Sequence, residues 1–303
     1  MKTKFTLLLV LSNCFFFVAN AQITDGETKL KTLETDTLKG WRTGGNTNLN
    51  FSQTALVHWS SGGDNSYAFN GLVSLFANYK DSCSAWDNSL DMGYGLINQG
   101  NLGMRKSDDR FEFNSKYGQK AFSNFYYATL LNFKTQFAPG YNYATNQKIS
   151  NLLAPAYLIG AIGMNYKQSN YFSVFVAPFT GRLTIVNDTA LSNHGAFGVN
   201  PGNNLRMEFG GYMRFVFNKN DFKGELMKNI TIKSKLDLFT NYLKDPQNVD
   251  VSWENIIFLK VNKFIGVSLN TNLLYDFDTK DPVDGKAKVQ FKEILGVGFS
   301  YKF

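Results

Sequence analysis

Apolar residues recur at every second position along most of the chain after Gly40. The clearest run covers residues 67–79, in which the apolar set is Tyr67, Phe69, Gly71, Val73, Leu75, Ala77 and Tyr79. A period of two is typical of a β-strand whose two faces differ. Twelve steps of about 3.3 Å, tilted by about 40°, climb roughly 30 Å. This segment is therefore long enough to cross a membrane, and it has an aromatic residue at each end.

Twelve segments follow this pattern. Ten are clear: residues 49–59, 67–79, 86–96, 111–117, 125–137, 205–217, 230–242, 249–259, 265–277 and 288–303. Two are less regular, 153–166 and 172–186, and we expect Pro155 at a strand start and a bulge or strand end near Pro178. The pattern predicts an all-β fold, a transmembrane antiparallel up-and-down β-barrel of about 12 strands.

The predicted connections alternate in length, as they do in such barrels. Long loops are predicted at 98–110, 138–151, 187–203 and 278–287, and short turns near 80–84, 167–171 and 261–264. A soluble two-sheet sandwich also has alternating strands. It requires neither strands of this length nor aromatic residues at their ends, so the barrel is the favoured interpretation.

The N-terminal residues 1–21 predict a signal peptide removed after Ala21. Lys2 and Lys4 precede an apolar run that ends in Ala19-Asn20-Ala21. A lipoprotein with Cys14 as its lipidated residue is disfavoured, because the apolar run continues past that cysteine. Residues 22–40 are then a periplasmic tether or plug, and 41–303 form the barrel. This organisation predicts location in the bacterial outer membrane.

Composition agrees with this class of protein. The formal charge of +7 falls to +5 without the two leader lysines, and the remaining basic residues form no runs, so no nucleic-acid partner is expected. Cys83 is the only cysteine after the leader, which excludes an internal disulfide. Aromatic residues make up 16% of the chain. The final residue, Phe303, is an aromatic that outer-membrane assembly machinery favours, so this machinery and the membrane lipid are the expected partners, with other envelope proteins as further candidates.

Several stretches resemble an uncharacterised outer-membrane barrel family of the Bacteroidetes, known only as a domain of unknown function. They are HWSSGGDNS (58–66), WDNSLDMGYGL (86–96), SDDRFEFNSKYG (107–118), TQFAPGYNY (135–143), APAYLIGAIGMNYK (154–167) and FSVFVAPFTGRLTIV (172–186). The resemblance implies a fold and a location. It supplies no catalytic residue.

The polar face of each strand should line the lumen. The predicted pore-lining charges are Asp87, Asp91, Lys116, Arg206, Glu208, Arg214, Lys233, Lys235 and Asp237. The third and ninth strands lie opposite each other in a barrel of twelve, so one hypothesis is a transverse field between carboxylates and cations that selects polar solutes. The other is a lumen filled by local ion pairs, which is common in small barrels.

No catalytic or metal site is predicted, and no cofactor. His58 is on the inward register of the first predicted strand, but Ser60 and Asp64 are too close in sequence to form a catalytic triad with it. Asp276, Asp278, Asp281 and Asp284 miss the spacing of a calcium loop because Lys280 occupies a ligand position. Cysteine and histidine are too few for a zinc cluster.

The first functional hypothesis is a non-enzymatic outer-membrane barrel, acting as a narrow pore or transporter for small polar solutes. The alternative is a non-conducting structural or assembly component that docks other envelope proteins. A weaker alternative is a membrane-embedded lipid hydrolase that uses His58. Conductance of the pure protein separates the first two.

Overall fold

A computed structural model describes residues 39–57, 60, 64–169, 171–225, 227–262, 264–279 and 285–302. The predicted signal peptide, residues 22–38, His58 and Phe303 lie outside these residues. No helix of the described chain is long and apolar enough to span a bilayer.

Almost every segment with alternating apolar residues forms a β-strand, and the prediction of a closed antiparallel barrel is confirmed. The strands are β1 Gly40–Thr54, β2 Ser66–Lys80, β3 Ser84–Gln99, β4 Met104–Phe122, β5 Phe125–Thr135, β6 Gly140–Asn142, β7 Gln147–Ser150, β8 Ala156–Lys167, β9 Phe172–Ile185, β10 Leu205–Lys219, β11 Ile230–Asn241, β12 Val249–Lys260, β13 Ile265–Tyr275 and β14 Gln290–Lys302. Twelve of them close the barrel in the order β1-β14-β13-β12-β11-β10-β9-β8-β5-β4-β3-β2, while β6 and β7 form a separate hairpin.

The apolar set of each strand faces outward, toward lipid. On β2, Tyr67 and Phe69 have 44% and 45% of their surface exposed, whereas the inward Leu72 has 7%. On β14, Leu295 and Val297 are 67% and 59% exposed. Large exposed apolar side chains on a folded surface require an apolar environment. The exterior is thus that of a transmembrane barrel.

Two predicted boundaries are wrong. The first strand begins at Gly40 and ends at Thr54, instead of running from 49 to 59. The loop predicted at 98–110 is a short connection at 100–103, because β3 and β4 extend to Gln99 and from Met104. The loop was predicted as the gap between the alternating segments 86–96 and 111–117, but Asp108 and Arg110 are inward-facing strand residues that pair with Lys292 and Glu254.

Both proline predictions are confirmed. Pro155 comes immediately before β8, where a missing backbone donor does not interrupt the ladder. At Pro178 the register of β9 shifts against both neighbours, between Ile162 and Met164 on β8 and between Gly210 and Tyr212 on β10. Such a bulge reverses which parity of residue faces inward. Val176 and Phe179 therefore both face lipid, although one number is even and the other odd.

The two ends of the barrel differ. We call the end with connections at 55–65, 100–103, 136–155, 186–204, 242–248 and 276–289 the loop end, and the opposite end the turn end. At the turn end the Trp41 ring lies 5.5 Å from Tyr79 and 5.7 Å from Trp86, centroid to centroid. Rings grouped at this level match the aromatic girdle expected at a membrane interface.

The loop end carries folded structure of its own. Loop 186–204 contains the short helix α1, Thr189–Asn193, and buries Ala154, Val186, Leu191 and Val199 in a small apolar cluster. Asp188 caps α1 by accepting a hydrogen bond from the Leu191 amide at 3.2 Å. Its carboxylate also accepts from Lys148 Nζ of β7 at 2.5 Å, which ties the hairpin to this loop.

Candidate functional site: the charged lumen

Charged side chains meet in the middle of the bore. We call this group the central network; it comprises Arg110, Glu112, Lys134, Arg214, Lys235, Asp237 and Glu254, with Asn114 and Asn132. Its members come from β4, β5, β10, β11 and β12. Four cations face three carboxylates, so most of the charge is neutralised within the network.

Several contacts of the central network cross the bore. Strands β4 and β12 lie six positions apart in the ring of twelve, directly opposite each other, and Arg110 of β4 pairs with Glu254 of β12. Lys235 of β11 donates to Glu112 of β4 at 2.8 Å. Side chains from facing walls therefore touch at the centre.

A bidentate ion pair between Arg214 and Asp237 lies on the β10–β11 wall of the network. Arg214 Nε and Nη2 donate to the two carboxylate oxygens of Asp237 at 2.6 and 2.9 Å. Its Nη1 donates to Asn114 Oδ1 on the far side at 2.8 Å. Arg214 is only 6% exposed and Asp237 only 7%. Buried charges in this geometry are stable only while both partners are present.

A second group, the rim network, lies nearer the loop end; it comprises Arg182, Arg206, Glu208, Asp250 and Asp278. Arg182 donates to both oxygens of Glu208 at 2.7 and 2.8 Å and to Asp250 at 2.6 Å. Arg206 donates to Asp278 at 2.6 Å and to the Gly198 carbonyl at 3.2 Å. The rim network thereby ties the loop that contains Gly198 and the loop that contains Asp278 to the inward-facing Arg206.

Part of the lumen is a packed apolar core. The cluster contains Ala128, Leu130, Ala161, Phe175, Ala177, Tyr212 and Phe239, all inward-facing and at most 5% exposed. The guanidinium of Arg182 lies 4.2 Å from the Phe239 ring centroid, which links this core to the rim network by a cation–π contact. The expectation that the polar face of each strand lines the lumen is therefore wrong for part of the β5–β11 side of the barrel.

Two small cavities lie among the inward-facing and loop-end side chains. The two best-formed cavities of the described chain hold about 20 and 10 Å³, which is room for roughly one water molecule each. The larger one is bounded by Leu72, Asp108, Arg110, Glu254, Asn270, Asn272, Lys292 and Ile294. Neither cavity matches the size of a pocket that binds a drug-sized ligand.

The predicted lining charges differ in their surroundings. Arg214, Lys235 and Asp237 belong to the central network, and Arg206 and Glu208 to the rim network. Of the others, Lys116 lies 4.0 Å from Asp87 and donates to Asn165 at 3.3 Å, and Asp91 accepts from Ser74 at 2.6 Å. Within the described residues, Lys233 has no ion pair or hydrogen bond. Local pairing, rather than two opposed charged walls, describes most of these groups.

Several residues of both networks were not predicted from the sequence. Glu112 has a visible signal, since it alternates with the outward Phe111 and Phe113. Glu254 likewise follows the outward Trp253. Arg182 had no such signal, because it lies after the bulge at Pro178, where the inward parity has changed. A strictly alternating pattern cannot place it.

Other candidate chemistry finds little support in the described chain. No group of three or more metal-ligating side chains occurs within it. Asp278 of the acidic loop pairs with Arg206, whereas Asp276 accepts from the Asp278 amide and the Thr279 hydroxyl. His194 contacts the Ala190 carbonyl of its own helix at 2.6 Å. The single described cysteine, Cys83, is exposed.

Comparisons with known proteins give a fold and no activity. A family described as "Protein of unknown function (DUF3078)" matches residues 51–141, less than a third of the chain. No curated protein matches. An outer-membrane channel from Pseudomonas putida F1 is 9% identical and has a TM-score of 0.39, over 88% of this chain and 96% of that one. The translocator domain of autotransporter NalP from Neisseria meningitidis is 10% identical with a TM-score of 0.34, over 91% and 93%. Both TM-scores are below 0.5, and the closed barrel of this chain is described from its own strand order.

Proposed function

We propose that this protein is a non-conducting outer-membrane barrel, a structural component of the envelope that presents its loop end and its outer wall to other envelope proteins. The observation that carries the proposal is the set of ion pairs between opposite walls of the bore. A structural barrel benefits from an interior that is packed like a protein core, because such packing makes the wall rigid.

The central network opposes the passage of ions. The Lys235–Glu112 and Arg110–Glu254 contacts join facing strands, and a solute that crosses the middle of the bore has to separate them. Separation would leave charges without partners in a confined, weakly hydrated space, at a cost of about 3–5 kcal/mol for each broken buried pair. The rim network adds a second set of ion pairs nearer the loop end. Two successive barriers support a closed barrel.

A narrow pore for small polar solutes is the second candidate, and one observation favours it. The wall formed by β1, β2 and β13 is lined by neutral amides, including Asn50, Asn70 and Asn270. Buried polar atoms of these three side chains lack a hydrogen-bond partner in the described chain. Asn270 also borders the larger cavity, and unpaired buried amides attract water, so a hydrated path along this wall is the route that a small solute would take.

Planar-bilayer recording tests the proposal. The purified protein, inserted into a bilayer in concentrated KCl, is expected to show no steady conductance. Removing a cross-bore contact with the double substitution Glu112→Ala and Lys235→Ala should produce conductance. Lys233→Ala is the matched control, because Lys233 is on the same face of β11 but outside the network; it should remain silent. Folding of each variant is checked by heat-dependent mobility on gels.

Steady, ion-selective conductance of the unmodified barrel would reject the closed-lumen proposal in favour of the narrow pore. Equal conductance of the double variant and the Lys233→Ala control would show that the central network is not the barrier.

A further inference from the structure

The ladder that closes the barrel, between its first and last strands, is short. Strands β1 and β14 pair over five residues, from Asn46 with Lys302 to Asn50 with Gly298. By contrast, β14 pairs with β13 over ten residues, from Phe299 to Gln290. Among the described residues, the loop-end part of β14, residues 290–297, therefore has a paired strand on one side only. Phe51–Thr54 of β1 likewise pair with β2 alone.

An open strand edge is costly at this depth. Outward residues of the unpaired stretch are among the most exposed of the whole barrel, with Phe291 at 62% and Leu295 at 67%. Lipid tails cannot hydrogen-bond to the N–H and C=O groups of such an edge, so open edges do not persist in the hydrocarbon region. Something that supplies backbone hydrogen bonds has to cover it.

A carboxylate lies on the same stretch. Glu293 is the register partner of Thr271, an outward position, and lies between Phe291 and Leu295 on the lipid face of β14. Its side chain is exposed and forms no hydrogen bond or ion pair with the described residues. A charged group on the lipid face destabilises a barrel unless it meets a partner. This edge therefore requires a cation as well as a strand.

The polar character continues sideways from Glu293. Thr271 of β13 accepts from Asn255 of β12 at 3.3 Å, and Asn255 accepts from Ser234 of β11 at 2.7 Å. All three are outward-facing residues at successive register positions. A polar stripe on an otherwise apolar exterior is typical of a surface that contacts protein rather than lipid.

We infer that the loop-end edge of β14 binds an extended segment of another envelope protein, which adds a strand antiparallel to β14 and places a lysine or arginine against Glu293. This inference rests on the proposed structural role and names its partner surface. Main-chain hydrogen bonds supply affinity and the cation supplies selectivity, as in other cases of strand addition.

A second copy of this chain does not fit the edge. Two barrels inserted in the same direction are related by an axis along the membrane normal. Strands tilted by about 40° would then cross at about 80° at the contact, which does not allow a ladder. Continued pairing of β1 would satisfy the backbone, but the register then places Ala55 opposite Glu293 and supplies no cation.

Disulfide trapping of a synthetic peptide tests the inference on the full barrel in lipid vesicles, with Cys83→Ser as background. The peptide alternates leucine with threonine and carries one lysine, with one cysteine two residues before it. In antiparallel register the lysine meets Glu293 and the cysteine meets Leu295→Cys. We expect at least five-fold more cross-linking than with a peptide that carries glutamate instead of lysine. Glu293→Lys should reverse this preference.

Two controls define the site. Phe299→Cys is also outward on β14 but lies in the paired half, opposite Leu49, so the peptide should not be trapped there. A peptide with N-methylated backbone amides keeps its charge but cannot extend the ladder, and it should not be trapped at Leu295→Cys.

Three outcomes would overturn the inference. One is equal trapping at Leu295→Cys and Phe299→Cys, and another is trapping that ignores the charge of residue 293. The third is complete disulfide formation between Gln53→Cys and Leu295→Cys without peptide, which would mean that β1 itself closes the edge. None of these results depends on conductance. A negative trapping result would therefore reject the strand-binding inference without rejecting the closed-lumen proposal, which the bilayer recording tests.

Discussion

At the residue scale, Asp188 shows how one carboxylate organises a loop. It caps α1 through the Leu191 amide and accepts from Lys148 at 2.5 Å and from Asn151 at 2.9 Å. These hydrogen bonds, that of Lys148 above all, lower the pKa of the Asp188 carboxyl from 3.8 to about 2. The charged form is therefore favoured in the folded loop.

The lowered pKa predicts how this loop responds to acid. A carboxyl whose pKa is lower in the folded state adds stability above its unfolded value of 3.8, and this stability is lost as the pH falls through about 2. Hydrogen-exchange protection of the Leu191 amide should follow this course. Asp188→Asn keeps an acceptor but no titratable group, so protection in this variant should be independent of pH. The Val186 amide, bonded to the Asn204 carbonyl at 2.8 Å, is the internal reference; parallel loss of protection at both amides would contradict the prediction.

At the scale of elements, the bulge at Pro178 decides how β8 and β9 fit. Gly163 of β8 lies opposite the bulged residues, where a Cβ atom would come within 2.0 Å of the Val176 carbonyl oxygen and 2.5 Å of the Ala177 Cα. Both contacts are with backbone, so no side-chain rotation can relieve them. The bulge thus requires glycine at this point.

Two glycines of the same strand give a matched test of this requirement. Gly163→Ala should lower the free energy of unfolding by about 1–3 kcal/mol, because the added methyl group has to push the bulged backbone aside. Gly160→Ala should change it by less than about 0.5 kcal/mol, since nothing lies within 4 Å of its Cβ position. Urea unfolding in vesicles measures both. Similar losses of unfolding free energy for the two variants would show that the bulged backbone of β9 moves to accommodate the added methyl group.

At the scale of the whole molecule, the sequence was sufficient for the exterior and insufficient for the interior. Lipid favours apolar residues at most outward positions, so the strands around Val73 and Leu75 were predictable from alternation alone. The lumen obeys no such rule, since Phe175 and Arg214 both face inward. Which of them meet across the bore depends on strand order and stagger, and these are properties of the closed barrel rather than of any segment.

The same dependence explains the errors at the boundaries. Charged residues between 98 and 110 predict a loop when each is considered alone. In the barrel, Asp108 accepts from Lys292 of β14 at 2.6 Å, although 184 residues separate the two in the chain. A charged residue can belong to a strand when a residue of opposite charge on another strand pairs with it. Local composition does not show that partner, because it is distant in sequence.

A double-mutant cycle across the bore tests whether opposite walls are energetically joined. Arg110→Met and Glu254→Gln each remove one side of the contact between β4 and β12. If the pair bridges the lumen as described, the two losses of unfolding free energy should be non-additive, with a coupling of about 0.5–3 kcal/mol. The cycle of Arg110→Met with Lys219→Ala is the control, because Lys219 pairs with Asp221 near the turn end, and it should be additive within about 0.5 kcal/mol. Additivity in both cycles would mean that the facing walls are held by the sheet alone. Separating Arg110 from Glu254 would then add no cost in free energy to a widening of the bore.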